Sequence, residues 1–468
     1  MREPAEESPQ RIYLETLGCE KNLVDSESAL GLLLAKGYTI APTPEDAELI
    51  VLNTCGFLES ARQESLDRLR ELSEEKADDQ QLVAIGCMVQ GETHDLRAAV
   101  PGVDHVLGVG QYHRLADLLV GDAPPPLESP DVAPYAGYGS RRLLTPSHVA
   151  HIKIAEGCNQ SCSFCKIPAL RGRQRSRGVP EILAEAHALV AQGVREVILI
   201  AQNSSAYGID LPGQPRLGDL CRALSTIDEL RWIRIMYAYP PMFTTRLIDE
   251  VYEHEKVVSY LDIPVQHASP RILERMNRGY QVEDFLRRVD HLRSLRPDAM
   301  IRTTALLGFP GETEEDVVEL MDFLAEVGFD HLGTFVYSHE ERTSAGEWED
   351  DVDSSEKEDR RARVESLQWE LGQERKSARL GQSVEVLVDR VFESGGEAEV
   401  DAIPFDDGPS AGELLASGPV AFARSEGFCH DIDGGVWLSG EGLAAGQVCR
   451  ATLVGCGPFD FLGRREAV

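Results

Sequence analysis

Basic residues are scarce in this chain of 468 residues, which has 46 lysines and arginines against 79 aspartates and glutamates, a formal net charge of −33. Proteins that bind nucleic acid usually carry a basic patch, so this balance counts against a nucleic acid as partner. It favours a basic partner, or an acidic surface that serves only solubility.

Long apolar runs are also lacking. No stretch is long enough to cross a bilayer, and Met1 to Glu7 has neither the basic nor the apolar region of a signal peptide. We therefore expect a cytoplasmic monomer with no membrane partner. In a reducing compartment, ten cysteines indicate metal ligation more than disulfides.

Three cysteines, Cys158, Cys162 and Cys165, lie in one short loop at C-x3-C-x2-C spacing, with Phe164 beside the last. Cysteine thiolates are the usual ligands of iron–sulfur clusters, and three of them leave one iron of a 4Fe–4S cube open to an outside ligand. A zinc site would normally have a fourth ligand or a local histidine. A disulfide framework is typical of short secreted chains. The loop therefore predicts a cluster with an open iron.

A second set of three cysteines is dispersed over residues 1–121. Strands alternating with helices in this region predict a flavodoxin-like parallel α/β domain. Each cysteine stands just past the carboxyl end of a predicted strand, at the edge where such sheets bind ligands. The strands and cysteines are Ile12–Leu17 with Cys19, Leu49–Asn53 with Cys55, and Leu82–Ile85 with Cys87. A single buried thiol would be ordinary, but three in equivalent places predict a second cluster.

Residues 122–147 are rich in proline and predict a semi-rigid linker. From residue 148 the pattern then cycles through strand and helix six times, which predicts a partial (βα)6 barrel over 148–377. The cysteine loop follows the first of these strands and would lie at the carboxyl rim, where barrels hold their active sites. The predicted strands are His148–Ile154, Glu196–Ala201, Trp232–Ala238, Tyr260–Pro264, Met300–Leu306 and His331–Tyr337.

Residues 378–468 show short alternating strands with glycine turns, which predict a small antiparallel β-barrel. This region has six lysines and arginines against fifteen aspartates and glutamates. Binding of phosphate requires cations, so the region suits a basic protein better than RNA. Cys221, Cys429, Cys449 and Cys456 are interpreted as small core residues rather than metal ligands.

The cysteine loop resembles the signature of the radical S-adenosylmethionine (SAM) enzymes. In that family the open iron binds SAM, and one electron cleaves it to a 5′-deoxyadenosyl radical. Two further strings, Gly18–Glu27 and Asn53–Ala61, resemble the methylthiotransferases, and most closely the branch that modifies an aspartate of a ribosomal protein. The tRNA-modifying branch typically has Met-Asn after the first cysteine and a basic residue after the second, and neither is present. The ribosomal branch commonly has proline where this chain has Glu20.

This resemblance implies two 4Fe–4S clusters, with SAM as co-substrate. It implies that a methylthio group is added to the β-carbon of an aspartate in small-subunit ribosomal protein twelve, a basic protein met free or on the ribosome. The loop cluster would cleave one SAM, and the Cys19 cluster would hold and deliver methylated sulfur. An electron donor such as flavodoxin or ferredoxin, and a sulfur donor, would be partners. The alternatives are a tRNA adenosine methylthiotransferase and a non-catalytic iron–sulfur protein.

Other rim residues are implied by the same resemblance, because their equivalents line the SAM pocket in relatives. The candidates for SAM contact are Phe164, Gln202, His267, Gly308 and Glu312. Turn chemistry explains Gly308 about as well, Glu312 could be a helix-start charge, and His267 a structural residue.

The sequence also allows an interpretation of the basic run and of the last domain. The basic run Arg171–Arg177 could grip phosphate, the SAM carboxylate or an acidic substrate residue, or could be a solvated turn. The last domain resembles TRAM domains at Ala423–Ser425 and Asp431–Leu438, with Ala402–Val420 as an apparent insertion.

Overall fold

The computed structural model describes residues 10–115, 129–130, 138–393, 405, 410, 413 and 418–466. Most of the predicted linker 122–147, and most of the predicted insertion 402–420, lie outside the described residues. The helices and strands form three groups in chain order, while the exact boundaries 1–121, 148–377 and 378–468 stay predictions. No helix within the described ranges is both long and apolar enough to cross a membrane.

The first group is a parallel sheet covered by helices. Its elements are β1 (Arg11–Thr16), α1 (Glu20–Ala35), β2 (Thr39–Ile40), β3 (Leu49–Thr54), α2 (Glu59–Glu75), β4 (Gln81–Gly86), α3 (Cys87–Ala99) and β5 (His105–Leu107). The strand order β2-β1-β3-β4-β5 confirms the flavodoxin-like prediction. Along β3, Ile50 and Leu52 pack into one core and Val51 into the other, as expected of a strand buried on both faces.

The apolar pattern of the sequence predicts a helix from Ser26 to Lys36, whereas helix α1 begins earlier, at Glu20. Its first turns contain the polar residues Lys21, Asn22 and Asp25, all of them buried. Apolar periodicity identifies a helix that buries an apolar face. It misses a turn that buries polar groups against another domain.

The second group is the barrel. Its strands are β6 (Val149–Lys153), a short pair β7 (Ala155–Glu156) and β8 (Arg175–Ser176), β9 (Glu196–Ile200), β10 (Trp232–Ile235), β11 (Tyr260–Asp262), β12 (Met300–Leu307) and β13 (His331–Val336). Its helices are α4 (Ile167–Arg171), α5 (Val179–Ala191), α6 (Leu217–Ser225), α7 (Thr245–Tyr252), α8 (Pro270–Arg275), α9 (Val282–Leu295), α10 (Glu314–Val327) and α11 (Ser354–Ser377).

Apart from the β7–β8 pair, the strands of this group form two parallel sheets, β10-β9-β6 and β11-β12-β13. A parallel bridge between Ile233 and Val257, and a hydrogen bond of 2.9 Å from Ala238 N to Asp262 O, join β10 to β11. The spatial order is therefore β6-β9-β10-β11-β12-β13, the same as the chain order. This confirms the predicted partial (βα)6 barrel.

The third group is a closed five-stranded barrel. Its strands are β14 (Ser383–Phe392), β15 (Val420–Ser425), β16 (Val436–Ser439), β17 (Val448–Cys456) and β18 (Phe461–Arg465). The order around the barrel is β14-β15-β16-β18-β17, and all pairs are antiparallel except β16 with β18. This confirms the predicted small β-barrel, which is antiparallel except at one pair because strand directions cannot alternate all the way round a closed ring of five. Cys429 and Cys456 lie in its core, as predicted.

A buried ionic network fastens this small barrel to the second group. Arg424 of β15 pairs with Glu196 at 2.7 Å and also bonds Asp389 of β14. His148 reaches Asp389 at 2.8 Å, and Arg234 reaches Glu196 at 2.8 Å. The C-terminal barrel is therefore held in a fixed position beneath the strands of the partial barrel.

Candidate cluster sites and the interface between them

The dispersed cysteines converge because neighbouring strands end at the same level. Thr54 and Gly86 are paired across β3 and β4, and Cys55 and Cys87 are the next residues of each chain segment. The loop before Cys19 passes directly over Cys55, since a Cβ atom at Gly18 would lie 3.0 Å from the Cys55 sulfur. Gly18 also has φ +93°, so only glycine suits this position.

Asn22 ties these three segments together. It is 1% exposed, and its side-chain amide donates to Leu17 O at 2.9 Å and to Thr54 O at 3.1 Å. Its side-chain oxygen faces the Cys87 thiol at 3.6 Å. Asn53 donates in turn to Asn22 O at 2.8 Å. The position of each dispersed cysteine thus depends on buried side-chain hydrogen bonds as well as on the sheet.

Burial raises the pKa of the Cys87 thiol to about 12. The nearby Arg171 lowers this pKa, while the Cys19 and Cys55 thiols raise it further, which shows that the three sulfurs are close enough to interact. Burial also raises the pKa of Cys55. Thiolates bind metals, so loading iron here must displace protons from these thiols.

The contiguous set is held by backbone hydrogen bonds and by side-chain bonds such as that of Ser163 Oγ to Arg275 O at 2.8 Å. Cys158 N donates to Gly172 O at 3.0 Å, and Cys165 N donates to Cys162 O at 3.1 Å. Ser163 N donates to Met276 O at 3.1 Å, and Ser163 O accepts from Ala345 N at 2.8 Å. The loop is therefore fixed between the segments after α8 and after β13.

Arg278 is the cation beside this loop. Its guanidinium donates to the Cys162 sulfur at 3.6 Å and stacks over the Tyr239 ring at 4.7 Å. Burial raises the pKa of Cys165 to about 12, with the Cys162 and Cys158 thiols adding to the increase. Burial raises the pKa of Tyr239 to about 12, and Cys162 contributes. The three loop sulfurs therefore also share one environment.

Both cysteine sets fit an iron–sulfur cube. Among the residues that the structure describes, no group of three or more Cys, His, Asp or Glu could hold a single metal ion. A cube makes a different demand, because each thiolate binds its own iron at a separate corner. Each set supplies three thiolates, which is the number that a cube with one open iron requires, and which residues hold the clusters stays a prediction.

The predicted SAM-contact residues occupy two places. Gln202 donates to Glu156 at 2.6 Å, near the contiguous loop, and its side-chain oxygen is buried without a partner. His267 accepts from Ala268 N at 2.9 Å through Nδ1, and its Nε2 lies 3.3 Å from Glu312.

Both His267 and Glu312 are fully buried, and Glu312 also accepts from Gly308 N at 2.9 Å. Phe164 packs edge-on against Phe309, with ring centroids 6.4 Å apart. Contact of these residues with SAM stays a prediction.

Arg171 settles part of the question about the basic run. It is 1% exposed, so for this residue the solvated turn is wrong. Its guanidinium donates to the Cys87 sulfur at 3.2 Å, to Asp25 at 3.1 Å and to Glu156 at 3.0 Å. Arg177 is equally buried and bonds Glu185 at 2.6 Å. Both arginines therefore bind internal carboxylates.

Lys153 completes a balanced ionic group with Arg171, Asp25 and Glu156. Its ammonium lies 2.5 Å from Asp25 and 2.7 Å from Glu156. Burial alone would raise the pKa of Glu156, but Arg171 and Lys153 outweigh burial and hold that pKa below its usual range. Burial would lower the pKa of Lys153, but Asp25 and Glu156 raise it. Lys153 and Glu156 therefore both stay charged at the interface.

A second contact at this interface follows Cys19 directly. The Lys21 ammonium lies 2.9 Å from the centre of the Tyr237 ring, and the Tyr237 hydroxyl donates to Glu20 at 2.5 Å. Tyr237 follows β10 and has φ +62°, an uncommon conformation for a tyrosine. Glu20, the position of the departure from the family pattern, thus binds the barrel rim.

Consecutive residues connect the two cysteine sets. Arg171 binds the sulfur of Cys87, and the next residue, Gly172, accepts from Cys158 N. Sequence reasoning marked the basic run but missed Asn22, Lys153 and Arg278. The polar start of α1 was the one available signal for Asn22.

Comparison with known proteins agrees with this geometry. Residues 11–108 match the family model described as uncharacterized protein family UPF0004, and residues 152–324 match the radical SAM superfamily. The chain resembles the radical SAM methyltransferase TsrM from Kitasatospora setae, with a TM-score of 0.53, 14% identity and coverage of 87% of this chain and 83% of that one. At that identity the likeness shows the fold alone.

Curated relatives are much more similar. The ribosomal protein uS12 methylthiotransferase RimO of Clostridioides difficile strain 630 is 39% identical over 84% of this chain and 92% of its own. RimO of Myxococcus xanthus strain DK1622 is 39% identical over 98% of this chain and 92% of its own. With both cysteine sets in place, the chain belongs to the RimO family of radical SAM methylthiotransferases.

Proposed function

We propose that this enzyme adds a methylthio group to the β-carbon of an aspartate side chain in ribosomal protein uS12. The relatives named above act on uS12, and the acidic chain has the charge that attracts a basic protein. As a member of its family the enzyme uses SAM and two 4Fe–4S clusters.

The assignment of the ligands is part of the proposal. One cluster would be held by Cys158, Cys162 and Cys165. The second, auxiliary cluster would be held by Cys19, Cys55 and Cys87. When bound, the clusters and SAM supply the electron, the radical chemistry, the sulfur and the methyl group, while the protein positions and shields them.

The observation that carries the proposal is the link through Arg171 and Gly172. A plain radical generator needs only the contiguous set. In this chain a second thiol set is fastened to the first through adjacent residues, at the interface between the first two groups of elements. Insertion of sulfur into a substrate requires two such sets within reach of one substrate position.

The residues of the chain have separate tasks in this proposal. Arg171 neutralises carboxylates and faces Cys87, Asn22 holds the loops of the dispersed set in register, and Arg278 places a positive charge beside Cys162. The buried charges of Lys153 and Glu156 need no water at the interface, because each is already satisfied by an internal partner.

The remaining partners are proposals from chemistry. One-electron cleavage of SAM requires a low-potential reductant, for which a flavodoxin or ferredoxin is suitable, and repeated turnover requires a sulfur donor. We place the enzyme in the cytoplasm as a monomer. The C-terminal barrel, with its acidic composition, is proposed to be a TRAM-like module that meets the protein substrate rather than RNA.

The test is anaerobic incubation of the reconstituted enzyme with SAM, dithionite and sulfide, with either purified uS12 or tRNA as substrate. We expect 5′-deoxyadenosine and an uS12 product heavier by one methylthio group in place of hydrogen, located by mass spectrometry on an aspartate. A modified tRNA with unmodified uS12, or no 5′-deoxyadenosine with either substrate, would overturn the proposal.

A further inference from the structure

Three buried lysines lie within the part of the chain that the structure describes, and one of them has no carboxylate partner. Lys153 has the two carboxylate partners described above, and Lys357 pairs with Asp350 at 2.6 Å. Lys21 is only 7% exposed, yet no oxygen of the described residues lies within hydrogen-bonding distance of its ammonium. A buried charge is costly unless it is paired. The ammonium of Lys21 therefore lacks the anion that the other two lysines have.

The contact that Lys21 does make leaves its N–H groups available. Its ammonium lies over the Tyr237 ring, 2.9 Å from the ring centre. A ring face attracts the charge but supplies no oxygen acceptor, and an ammonium has three N–H donors. Lys357 shows that the two contacts are compatible, because it lies 5.1 Å from the centre of the Tyr337 ring and still binds Asp350. The tyrosine thus fixes the nitrogen of Lys21 and leaves donors for an anion.

The charged neighbours of Lys21 are engaged with other groups. The acidic side chains near it are Glu20 and Asp262. Glu20 accepts from the Tyr237 hydroxyl at 2.5 Å, and Asp262 accepts from Tyr237 N at 2.8 Å. Arg171, the neighbouring cation, is bound to two carboxylates of its own. These residues hold the surroundings of Lys21 in place without supplying its anion.

Lys21 lies between the dispersed cysteine set and the rim of the barrel. It follows Cys19 by two residues in the first turn of α1, and Tyr237 lies just after β10. Cys19 is exposed, whereas Cys55 and Cys87 are buried, so the dispersed set is open on the side where α1 begins. The N–H groups in the first turn of a helix have no acceptor within the helix, and the helix dipole adds positive potential there. This place therefore attracts an anion that reaches the dispersed set from outside.

The substrate of the proposed function brings such an anion. The carbon to be modified, the β-carbon of an aspartate, is bonded directly to the side-chain carboxylate, so a cation that holds the carboxylate also fixes this carbon. The net charge of −33 attracts a basic protein as a whole but repels an aspartate side chain. A cation at the site overcomes this repulsion. An asparagine side chain would gain much less from it, because hydrogen bonds between ionised groups are the stronger ones.

We propose that the Lys21 ammonium binds the carboxylate of the target aspartate and thereby selects an aspartate side chain for modification. This rests on the proposed function for the identity of the substrate. Lys21 is then a specificity-determining residue of the first group of elements. Tyr237 is a positioning residue, because its ring holds the ammonium towards the substrate.

The experiment measures the binding of uS12 to the reconstituted enzyme with SAM and without reductant, so that no turnover occurs. Two forms of uS12 are compared, the natural protein and a variant in which the target aspartate, located by mass spectrometry, is replaced by asparagine. Wild-type enzyme should bind the natural form about tenfold more tightly, as expected for one charge-assisted hydrogen bond. Lys21→Met, which keeps an unbranched side chain without the charge, should bind the two forms equally. An unchanged preference in Lys21→Met would overturn the proposal.

Two control variants test whether the preference belongs to Lys21. Lys357→Met removes the other lysine that lies over a tyrosine ring and should keep the tenfold preference. Cys87→Ala removes a thiol of the dispersed set and leaves Lys21 in place, so it should keep the preference as well. Loss of the preference in either control would contradict the proposal, and in Cys87→Ala it would assign recognition of the carboxylate to the auxiliary cluster.

The rival role for Lys21 is to neutralise the charge of the cluster that the dispersed set would hold. It predicts that Lys21→Met loses iron and keeps the preference for aspartate, a result that would refute substrate recognition. Because Cys87→Ala reports the effect of losing that cluster alone, a preference lost only in Lys21→Met is assigned to the ammonium whatever the iron content of that variant. Failure of the wild-type enzyme to modify uS12 at all would instead contradict the proposed function.

Discussion

The two cysteine sets differ in how the chain holds them. Cys158, Cys162 and Cys165 lie in one loop, and that loop is fixed by backbone hydrogen bonds to neighbouring segments and by side-chain bonds that are exposed or partly buried. Cys19, Cys55 and Cys87 come from three βα units and depend on buried side chains, with Asn22 and Arg171 in direct contact. The contiguous set should therefore tolerate changes in surrounding side chains, whereas the dispersed set should not.

The largest difference is expected from removing one thiol of each set. Cys87→Ala should leave about four of about eight irons per chain and preserve 5′-deoxyadenosine formation, because the contiguous set is intact. Its methylthiolated product should fall to background. Cys162→Ala should lose both activities. Iron analysis and product quantification check this, and a Cys87→Ala enzyme with full iron and full product would contradict the two-site assignment.

Two variants that each remove a buried cation should distinguish an effect on the free energy of unfolding from an effect on cluster binding. Arg171→Met leaves Asp25 and Glu156 to share Lys153, and Arg177→Met leaves Glu27 and Glu185 to share Arg141. Each variant therefore leaves one buried negative charge uncompensated and should lower the free energy of unfolding by about 3–5 kcal/mol. Only Arg171 touches a cysteine, so only Arg171→Met should also lose iron from the dispersed set. Denaturant unfolding and iron counts measure the two effects. Equal iron loss in both variants would show a purely structural role.

Lowering the pH should affect the protein around the dispersed set more than the contiguous loop, because loop residues 157–165 contain no carboxylate or histidine. His151, near Glu20, is buried and its pKa is lowered to about 4 from 6.5. Between these values the unfolded chain binds a proton that the folded chain does not. Stability from this residue is therefore present above pH 6.5 and lost as the pH falls, by about 3 kcal/mol for 2.5 pKa units.

Asp262 opposes this loss, because burial raises its pKa to about 6 from 3.8. The folded chain keeps this proton to higher pH, so the stability it contributes grows as the pH falls through 6. Asp262→Asn should remove the offset and make the unfolding free energy fall by about 3 kcal/mol more than in the wild type between pH 7 and 4. Unfolding curves at both pH values check this, and parallel pH profiles for the two proteins would contradict it.

The smallest difference is expected from replacing the asparagine that supports each set, Asn22 for the dispersed set and Asn277 for the contiguous set. Asn22→Ala removes buried hydrogen bonds and should cost about 1–3 kcal/mol, with loss of iron from the dispersed set. Asn277 donates to Ser161 O at 2.9 Å and is exposed. Asn277 has φ +55°, so glycine is the replacement without backbone strain, and Asn277→Gly should cost less than about 1 kcal/mol and leave the iron content unchanged. The unfolding free energy and iron retention of the two variants make the comparison.

Much of this arrangement was predictable from local pattern. Each dispersed cysteine follows an apolar run of strand length, and the six strand–helix cycles reveal the barrel, because both signals are contained within a few residues. The start of α1 was not predictable in this way. Its buried face is polar, and its partners Lys153 and Arg171 lie 128 and 146 positions away from Asp25.

The role of Arg171 illustrates the same limit. A run of arginines shows that cations are present and says nothing about which carboxylates they will meet. The parallel pair in the C-terminal barrel was missed for another reason, since closure of the ring is a property of all five strands together. Pairings between distant segments are decided by the packed fold rather than by local propensity.

The adjacency of Arg171 and Gly172 has a mechanical consequence. Because Arg171 faces Cys87 and its covalent neighbour Gly172 bonds Cys158, the two sulfur-bearing regions cannot separate without breaking the buried contacts of Arg171 to Cys87, Asp25 and Asn22. We expect a substrate that reaches both cysteine sets to meet them as one unit rather than as two parts that close around it.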